Sequence, residues 1–186
     1  ELIPMAENVG LAPVVDRAVI EAVVLAVQAG AYPGRVAVNL SAASLADPGQ
    51  LDWLLDELQQ HPVAAGELIL ELPEYAAQAH IEMLIRWIDH LAPLGVEFSL
   101  DHFGRGFTSF AHLRALKVHY LKVDGSFVSR LGQQDANRFF LRTIADIAHG
   151  LDMLVVAESV ETDADWQTLA AIGIDAGRGY WLGRPE

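Results

Sequence analysis

The chain has 186 residues, 52% of them hydrophobic, and its 25 acidic and 12 basic side chains give a formal net charge of −13. This apolar content excludes an intrinsically disordered chain, and the length suits one domain. The absence of cysteine excludes disulfides, thiolate metal sites and a cysteine nucleophile. The strong acidity argues against a nucleic-acid polymer as partner, because its phosphates carry the same sign of charge. No apolar run reaches the roughly 18 residues that a membrane span needs.

Helical and extended segments alternate along the chain. Apolar residues spaced for one helix face predict helices, and short runs of β-branched and apolar residues predict strands. The first half is predicted to contain helix 13–30, strand 35–41, helix 47–61, strand 67–74 and helix 81–95. The second half is predicted to contain strand 96–104, a short helix through Leu113 and Leu116, strand 119–127, helix 135–150, strand 153–161, helix 162–173 and a final extended run 178–185.

This order of elements predicts an α/β fold. Strand–helix units of this length suit right-handed crossovers between parallel strands. The predicted strands are apolar on both faces, as in a parallel sheet that helices cover. Such units fit either a doubly wound sheet or most of a (β/α)8 barrel.

Polar side chains stand near the carboxyl end of each predicted strand. They are Asn39, Glu71, Asp101, Lys122 with Asp124, Glu158 with Glu161, and Arg178. In a barrel these strand ends converge on one face, and the loops after them build the active site. Carboxylates brought together need a cation, and oxygen ligands suit Mg²⁺, Mn²⁺ or Ca²⁺. The alternative for any one of these residues is a helix cap or a loop hydrogen-bond acceptor.

Two neighbouring features leave function and structure open. His102 directly follows Asp101 at a predicted strand end, where it could bind a metal, bind an anion or simply pack. The loop Gly104-Arg105-Gly106 lacks the Lys-Ser/Thr of a phosphate-binding loop, so a flexible turn is the better interpretation.

The run LDHFGRGFTSFAHLRALKVHYLKVDGSFV, residues 100–128, resembles the DDFGTGYSS…LRRLPVDYLKID-SFV region of EAL domains, which are cyclic di-GMP phosphodiesterases. Shorter segments match the same family in order: IPMAENVGL (3–11) resembles IPLAE-GLI, VNLS (38–41) is the same in both, ELPE (71–74) resembles E-TE, AESVET (157–162) resembles AEGVET, and RGYWLGRP (178–185) resembles QGYLFGKP. The resemblance covers essentially the whole chain. It implies a TIM-like (β/α)8 EAL barrel that hydrolyses cyclic di-GMP to linear pGpG with Mg²⁺ or Mn²⁺.

The resemblance also implies a role for each matching residue. Asn39, Glu71, Asp101 and Asp124 would lie at the metal site as ligands. Lys122 and Glu158 would be catalytic, since Lys122 would hold the attacking water and Glu158 would support the metal site. Glu74 would anchor the glycine loop after Asp101, and Glu161 would anchor the neighbouring strand end. Two cations of this kind stabilise the attacking and leaving oxygens of an in-line displacement.

Three departures from the family pattern point away from hydrolysis. The Glu-Ala-Leu signature is absent, so residues 1–186 are expected to be an EAL domain that lacks the N-terminal strands bearing it. The second aspartate of the Asp-Asp pair is His102, and the glutamine of the QGY motif is Arg178. Ser159 also replaces a glycine. His102, Arg178 and Lys122 are therefore expected to bind the nucleotide. The Arg178 guanidinium in particular could clamp a phosphate with two hydrogen bonds.

The favoured prediction is a degenerate EAL domain that binds cyclic di-GMP as a receptor, as the LapD-type biofilm receptors do, with little or no hydrolysis. The alternatives are an active phosphodiesterase and a protein-interaction module without nucleotide binding. Mg²⁺ or Mn²⁺ is expected if the domain is active, and no cofactor is required if it is a receptor. The family resemblance further implies a homodimer, other domains of a longer bacterial signalling protein, and a cytoplasmic location, including that of a cytoplasmic module in a membrane-anchored protein.

Overall fold

A computed structural model describes residues 5–6, 8–106, 109–129, 131 and 135–183. The family-like segments 3–11, 100–128 and 178–185 therefore each include positions outside the described residues. The chain divides into two compact units, Glu1–Ser99 and Leu100–Glu186.

The first unit alternates helices with two paired strands. Its elements are α1 (Ala12–Gln28), β1 (Val36–Asn39), α2 (Ala42–Ala46), α3 (Pro48–Gln60), α4 (Pro62–Glu67), β2 (Leu68–Pro73), α5 (Glu74–Ala79), α6 (Ile81–Leu91) and a 3₁₀ turn, Ala92–Leu94. Strand β3 (Glu97–Phe103) begins here and continues into the second unit. Strands β1 and β2 are parallel, with Val36 opposite Leu68 and Asn39 opposite Glu71.

The core of the first unit forms where these elements turn apolar faces inward. Leu68, Leu70 and Leu72 on β2 are buried, and so are Leu84 and Trp87 on α6. Burial of side chains of this size is the main favourable contribution to folding. The core therefore fixes β2, and with it the position of Glu71.

A polar network holds the turn that follows β1. Asp16, on α1, is only 8% exposed. Its Oδ2 accepts hydrogen bonds from the Ser41 backbone N–H at 2.8 Å and from the Ser44 hydroxyl at 2.6 Å. The Ser41 hydroxyl in turn accepts the Ser44 N–H at 3.1 Å and caps α2. Helix α1 thus fastens the chain just beyond Asn39.

The second unit repeats the strand–helix alternation. After β3 come α7 (Phe110–Leu116), β4 (Tyr120–Val123), α8 (Gly125–Val128), α9 (Asp135–His149), β5 (Leu154–Ala157), α10 (Asp163–Ala171) and β6 (Ala176–Gly177). Strand β4 is parallel to β5, with Lys122 opposite Val156, and β5 is parallel to β6. Among the described residues, no helix is both long enough and apolar enough to cross a bilayer.

The long predicted helices and strands are confirmed, but most of them are shorter than expected. The extended run predicted over 119–127 stops at Val123, because the Asp124 carboxylate accepts the Ser126 N–H at 2.9 Å and caps α8. The run predicted over 153–161 stops at Ala157, and the last strand lies at Ala176–Gly177. The extended run predicted over 178–185 is wrong over its described part, because the Leu182 and Gly183 N–H groups donate to the Gly179 carbonyl at 3.0 and 3.1 Å and turn the chain. The short helices α2, α4, α5 and α8 were not predicted, because a few residues carry too little periodicity to indicate a helix.

Replacing Thr162 with alanine is expected to lower the free energy of unfolding by about 1 kcal/mol. The Thr162 hydroxyl accepts the Asp165 N–H at 3.1 Å and donates to the Asp165 carboxylate at 2.6 Å, so it caps α10 as the sequence predicts. Urea denaturation measures the loss. Thr168→Ala is the control, because its hydroxyl only donates to the Ala164 carbonyl within the same helix. Equal losses in both variants would contradict the capping role.

Candidate functional site

Backbone hydrogen bonds hold three chain segments of the second unit side by side. The Asp124 N–H donates to the Phe103 carbonyl at 3.3 Å, and the Glu158 N–H donates to the Val123 carbonyl at 3.1 Å. The segments therefore end at the same edge, as parallel strands do. Asp101, Lys122, Asp124 and Glu158 come from these ends, and we call them, together with His102, the acidic-edge cluster.

Lys122 lies between two carboxylates of this cluster. Its Nζ is 3.4 Å from Asp101 Oδ1 and 3.4 Å from Glu158 Oε1, and its side chain is only 6% exposed. A cation held this far from water needs such partners to offset the loss of its hydration. The same contacts reduce the repulsion between Asp101 and Glu158.

His102 is a second nitrogen-bearing side chain that contacts the carboxylates of the cluster. It follows the apolar part of β3, and its φ of +54° is unusual for a residue with a Cβ. The imidazole Nδ1 lies 3.2 Å from Asp124 Oδ2 and 3.5 Å from Glu158 Oε2, and its Nε2 lies 3.9 Å from Asp101 Oδ2. Its backbone N–H donates to Asp101 Oδ1 at 2.9 Å. The imidazole, 52% exposed, thus faces three carboxylates at once.

Asp124 is the most buried carboxylate of the cluster, with a side chain 6% exposed against 12% for Asp101 and 16% for Glu158. Burial raises its pKa, but hydrogen bonds from Ser126 and the nearby Arg105 guanidinium outweigh that effect, so the pKa of Asp124 lies below its ordinary value. The Arg105 Nε is 2.9 Å from Asp124 Oδ2. Asp124 therefore carries its negative charge throughout the neutral range.

Gly104 allows the chain to place Arg105 beside Asp124. Its φ is +100°, and a Cβ there would lie 2.9 Å from the Phe127 ring. Phe127 is itself stacked on Phe140, with ring centroids 4.3 Å apart. Only glycine adopts this φ without strain and also leaves space for the Phe127 ring, so Gly104 fixes the turn that carries Arg105.

Part of the cluster suits a divalent cation. Asp101, His102 and Glu158 offer ligand atoms that all lie within 4.8 Å of one another. Carboxylate oxygens suit Mg²⁺ and Mn²⁺, and an imidazole nitrogen is tolerated by Mn²⁺ more readily than by Mg²⁺. A bound ion would polarise a water or a phosphate oxygen there.

A cavity of about 450 Å³ adjoins the cluster at Glu158. It is lined by Glu158, Ser159, Glu161, Arg178, Gly179, Tyr180 and Gly183. Tyr180 is 69% exposed and the next residue, Trp181, is 43% exposed. The cavity thus joins a guanidinium, two carboxylates and a largely exposed phenol, and it offers hydrogen-bond donors, acceptors and an aromatic ring to a polar ligand.

Backbone hydrogen bonds fix the cavity wall. The Arg178 N–H donates to the Ala157 carbonyl at 2.8 Å, and the Val160 N–H donates to the Arg178 carbonyl at 3.0 Å. Ser159 has a φ of +58°, which explains why the family pattern AEGVET carries glycine at this position. The wall therefore keeps its shape although Ser159 stands where glycine is easier to accommodate.

The other predicted site residues lie in the first unit. Asn39 and Glu71 face each other in the parallel register of β1 and β2. Glu71 is 7% exposed, whereas Asn39 is exposed. Glu74 is 3% exposed and is the first residue of α5. Their expected roles as metal ligands and loop anchor stay predictions, as do the roles of Asp101, Lys122, Asp124, Glu158, Glu161, His102 and Arg178.

Arg105 is a residue of this site that the sequence reasoning passed over. The loop 104–106 was interpreted as a flexible turn because it lacks a phosphate-loop pattern. A signal was nevertheless present, because Arg105 stands where the pattern DDFGTGYSS has threonine. A charged residue replacing a small polar one beside an acidic strand end indicates a new ion pair.

Curated relatives resemble the chain over nearly its whole length. A bifunctional diguanylate cyclase/cyclic di-GMP phosphodiesterase, MucR of Pseudomonas aeruginosa, is 30% identical over 189 residues, which cover 100% of this chain and 28% of that protein. The cyclic di-GMP phosphodiesterase PdeF of Escherichia coli is 32% identical over 190 residues, covering 99% of this chain and 25% of that protein. The chain thus spans between a quarter and a third of each of these relatives.

Solved structures share its fold. The MucR phosphodiesterase in complex with cyclic di-GMP has a TM-score of 0.91 and 30% identity, covering 98% of this chain and 81% of that one. The EAL domain of FimX from Pseudomonas aeruginosa, bound to cyclic di-GMP, has a TM-score of 0.89 and 30% identity, covering 98% and 74%. BlrP1 of Klebsiella pneumoniae, in a manganese and cyclic di-GMP complex, has a TM-score of 0.80 and 25% identity, covering 91% and 43%.

These likenesses confirm the predicted TIM-like α/β architecture of EAL domains. The family model of the EAL domain matches residues 1–185. The strand-end residues, the alternation of elements and the shared fold lead to one conclusion, that this chain belongs to the EAL domain family.

Proposed function

We propose that this chain is a degenerate EAL domain that binds cyclic di-GMP as a receptor, with little or no hydrolysis. The observation that carries the proposal is the position of His102, whose imidazole nitrogen contacts the Asp124 and Glu158 carboxylates at 3.2 and 3.5 Å. An imidazole thus stands where the family pattern has a second aspartate.

Arg178 offers a cationic group for an anion at the cavity, beside the carboxylates of Glu158 and Glu161. Arg178 lines the cavity where the family pattern has glutamine, Lys122 adds positive charge at the neighbouring cluster, and His102 stands beside it. A guanidinium can donate two parallel hydrogen bonds to a phosphate. Tyr180 supplies an aromatic ring on which a base can stack.

The relatives support cyclic di-GMP as the ligand. The MucR and FimX structures are both complexes with it, and each is 30% identical to this chain. Within this proposal His102, Lys122 and Arg178 contact the ligand. Asn39, Glu71, Asp101 and Asp124 are the residues of the inherited metal site, Lys122 and Glu158 its catalytic pair, and Glu74 and Glu161 anchor the loops.

Binding without cleavage is the expected experimental result. Calorimetry of the complete protein with cyclic di-GMP is expected to show binding, while incubation with cyclic di-GMP and Mn²⁺ is expected to yield no measurable pGpG. Arg178→Gln is expected to weaken binding about tenfold, because a charge-assisted hydrogen bond contributes about 1.5–3 kcal/mol. Arg138→Gln is the matched control, since Arg138 is partly exposed on α9 and does not line this cavity.

Two outcomes would replace the proposal. Rapid formation of pGpG would favour an active phosphodiesterase, an alternative that the clustered ligand atoms of Asp101, His102 and Glu158 support. Absence of cyclic di-GMP binding in calorimetry would favour a protein-interaction module instead.

Further domains and a homodimer belong to the same proposal. The chain matches only 28% of MucR, a bifunctional diguanylate cyclase and phosphodiesterase, so a longer signalling protein of related organisation is proposed here. Light scattering with and without cyclic di-GMP tests the homodimer. The cytoplasmic location stays a prediction.

A further inference from the structure

The Asp124 carboxylate already has partners at both of its oxygens. Its Oδ1 accepts the Ser126 N–H at 2.9 Å. Its Oδ2 contacts Arg105 Nε at 2.9 Å and His102 Nδ1 at 3.2 Å. A carboxylate held in this way is poorly available to a metal ion, which would have to displace at least one of these partners.

Asp101 and Glu158 are arranged differently. Asp101 Oδ1 accepts the His102 backbone N–H at 2.9 Å and lies 3.4 Å from Lys122, but its Oδ2 lies 3.9 Å from His102 Nε2. Glu158 Oε1 lies 3.4 Å from Lys122, and its Oε2 lies 3.5 Å from His102 Nδ1. The side-chain contacts of Asp101 Oδ2 and Glu158 Oε2 are therefore longer than those of Asp124 Oδ2, so an ion displaces less when it binds these two oxygens. The set of closely spaced ligand atoms consequently contains Asp101, His102 and Glu158.

We infer that Arg105 is a built-in counter-cation for Asp124. The Arg105 guanidinium withdraws this carboxylate from metal binding, so Asp101, His102 and Glu158 are the only metal-binding group of the acidic-edge cluster. The side chain of Arg105 is 65% exposed while that of Asp124 is 6% exposed, so the guanidinium covers Asp124 from the solvent side. An ion approaching from solvent meets this positive charge first, and like charges repel each other.

This inference removes Asp124 from the proposed metal ligands, and it otherwise goes beyond the proposed function because it concerns the metal affinity of the chain without nucleotide. A failure to bind cyclic di-GMP would leave it standing. Its test therefore uses Mn²⁺ alone.

The test is a titration of the complete, nucleotide-free protein with Mn²⁺ at fixed ionic strength, in which electron paramagnetic resonance measures the free ion. Arg105→Thr, which restores the residue of the family pattern, is expected to bind Mn²⁺ at least about tenfold more tightly than the wild type. Arg105→Lys, which keeps the charge, is expected to stay within about threefold of the wild type. Arg138→Thr removes an exposed arginine elsewhere in the second unit and is expected to change nothing.

Several results would overturn the inference. They are an affinity of Arg105→Thr within about twofold of the wild type, an equal gain in Arg138→Thr, or an equal gain in Arg105→Lys, which would show that charge is not the cause. Circular dichroism checks the fold of each variant. If Arg105→Thr is unfolded, Arg105→Gln, which keeps hydrogen-bond donors without the charge, provides the same comparison with the same outcomes.

Discussion

Replacing Lys122 with methionine is expected to lower the free energy of unfolding by about 3 kcal/mol at neutral pH. The methionine keeps the length and apolar stem of the side chain but removes the charge between Asp101 and Glu158, which lie 3.4 Å from the Lys122 Nζ. The two carboxylates, with side chains 12% and 16% exposed, then face each other without this cation. Removing one partner of a buried ion pair costs far more than the pair contributes, because the remaining charge stays desolvated.

Urea denaturation measures this loss, and Lys117→Met is the matched control because Lys117 is exposed. Mn²⁺ at millimolar concentration is expected to restore part of the stability of Lys122→Met, since a bound cation stabilises the folded state by mass action. A loss no larger than that of the control would contradict the compensating role of Lys122.

Replacing Gly179 with alanine is expected to destabilise the cavity wall severely, by about 3 kcal/mol or more, and to abolish ligand binding there. A Cβ at Gly179 would lie 2.7 Å from the Val160 carbonyl carbon and closer still to its nitrogen and oxygen. These are backbone atoms that cannot rotate away. The same Val160 atoms form two hydrogen bonds. The Val160 N–H donates to the Arg178 carbonyl at 3.0 Å, and the Val160 carbonyl accepts the Trp181 N–H at 3.2 Å.

Gly183→Ala provides the control for this prediction. Gly183 lines the same cavity, but a Cβ there would meet nothing within 4 Å. Thermal denaturation and calorimetry with cyclic di-GMP are expected to distinguish the two variants clearly. Equal stability and equal ligand affinity of the two alanine variants would mean that the close contact between Gly179 and the Val160 backbone does not determine the shape of the wall.

The sequence predicts the fold of this chain well because its long elements have strong patterns. Strand β2 is a compact apolar run between turn residues, and α6 has a clear apolar face. The polar residues that interrupt such runs, Asp101 and Lys122 among them, are visible for the same reason. Short helices such as α8 are set by one capping carboxylate, Asp124, within a run that looks extended.

The candidate site is less predictable, because its contacts depend on backbone geometry and on distances between separate segments. Nothing in the residue order indicates that His102 adopts a φ of +54° and brings its imidazole to Asp124 and Glu158. The ion pair between Arg105 and Asp124 joins residues 105 and 124 through a turn that Gly104 shapes against Phe127. Composition and spacing carry no information about such a contact until the chain is folded.

The exposed Trp181 beside the cavity gives the protein an intrinsic optical reporter. The chain has only four tryptophans, and Trp87 is 1% exposed whereas Trp181 is 43% exposed and follows the cavity-lining Tyr180. A ligand that enters the cavity is expected to change the polarity around the indole of Trp181, which follows the lining residue Tyr180, so fluorescence emission can test for binding without a label. Trp181→Phe removes this signal while keeping an aromatic ring, and thereby identifies its source.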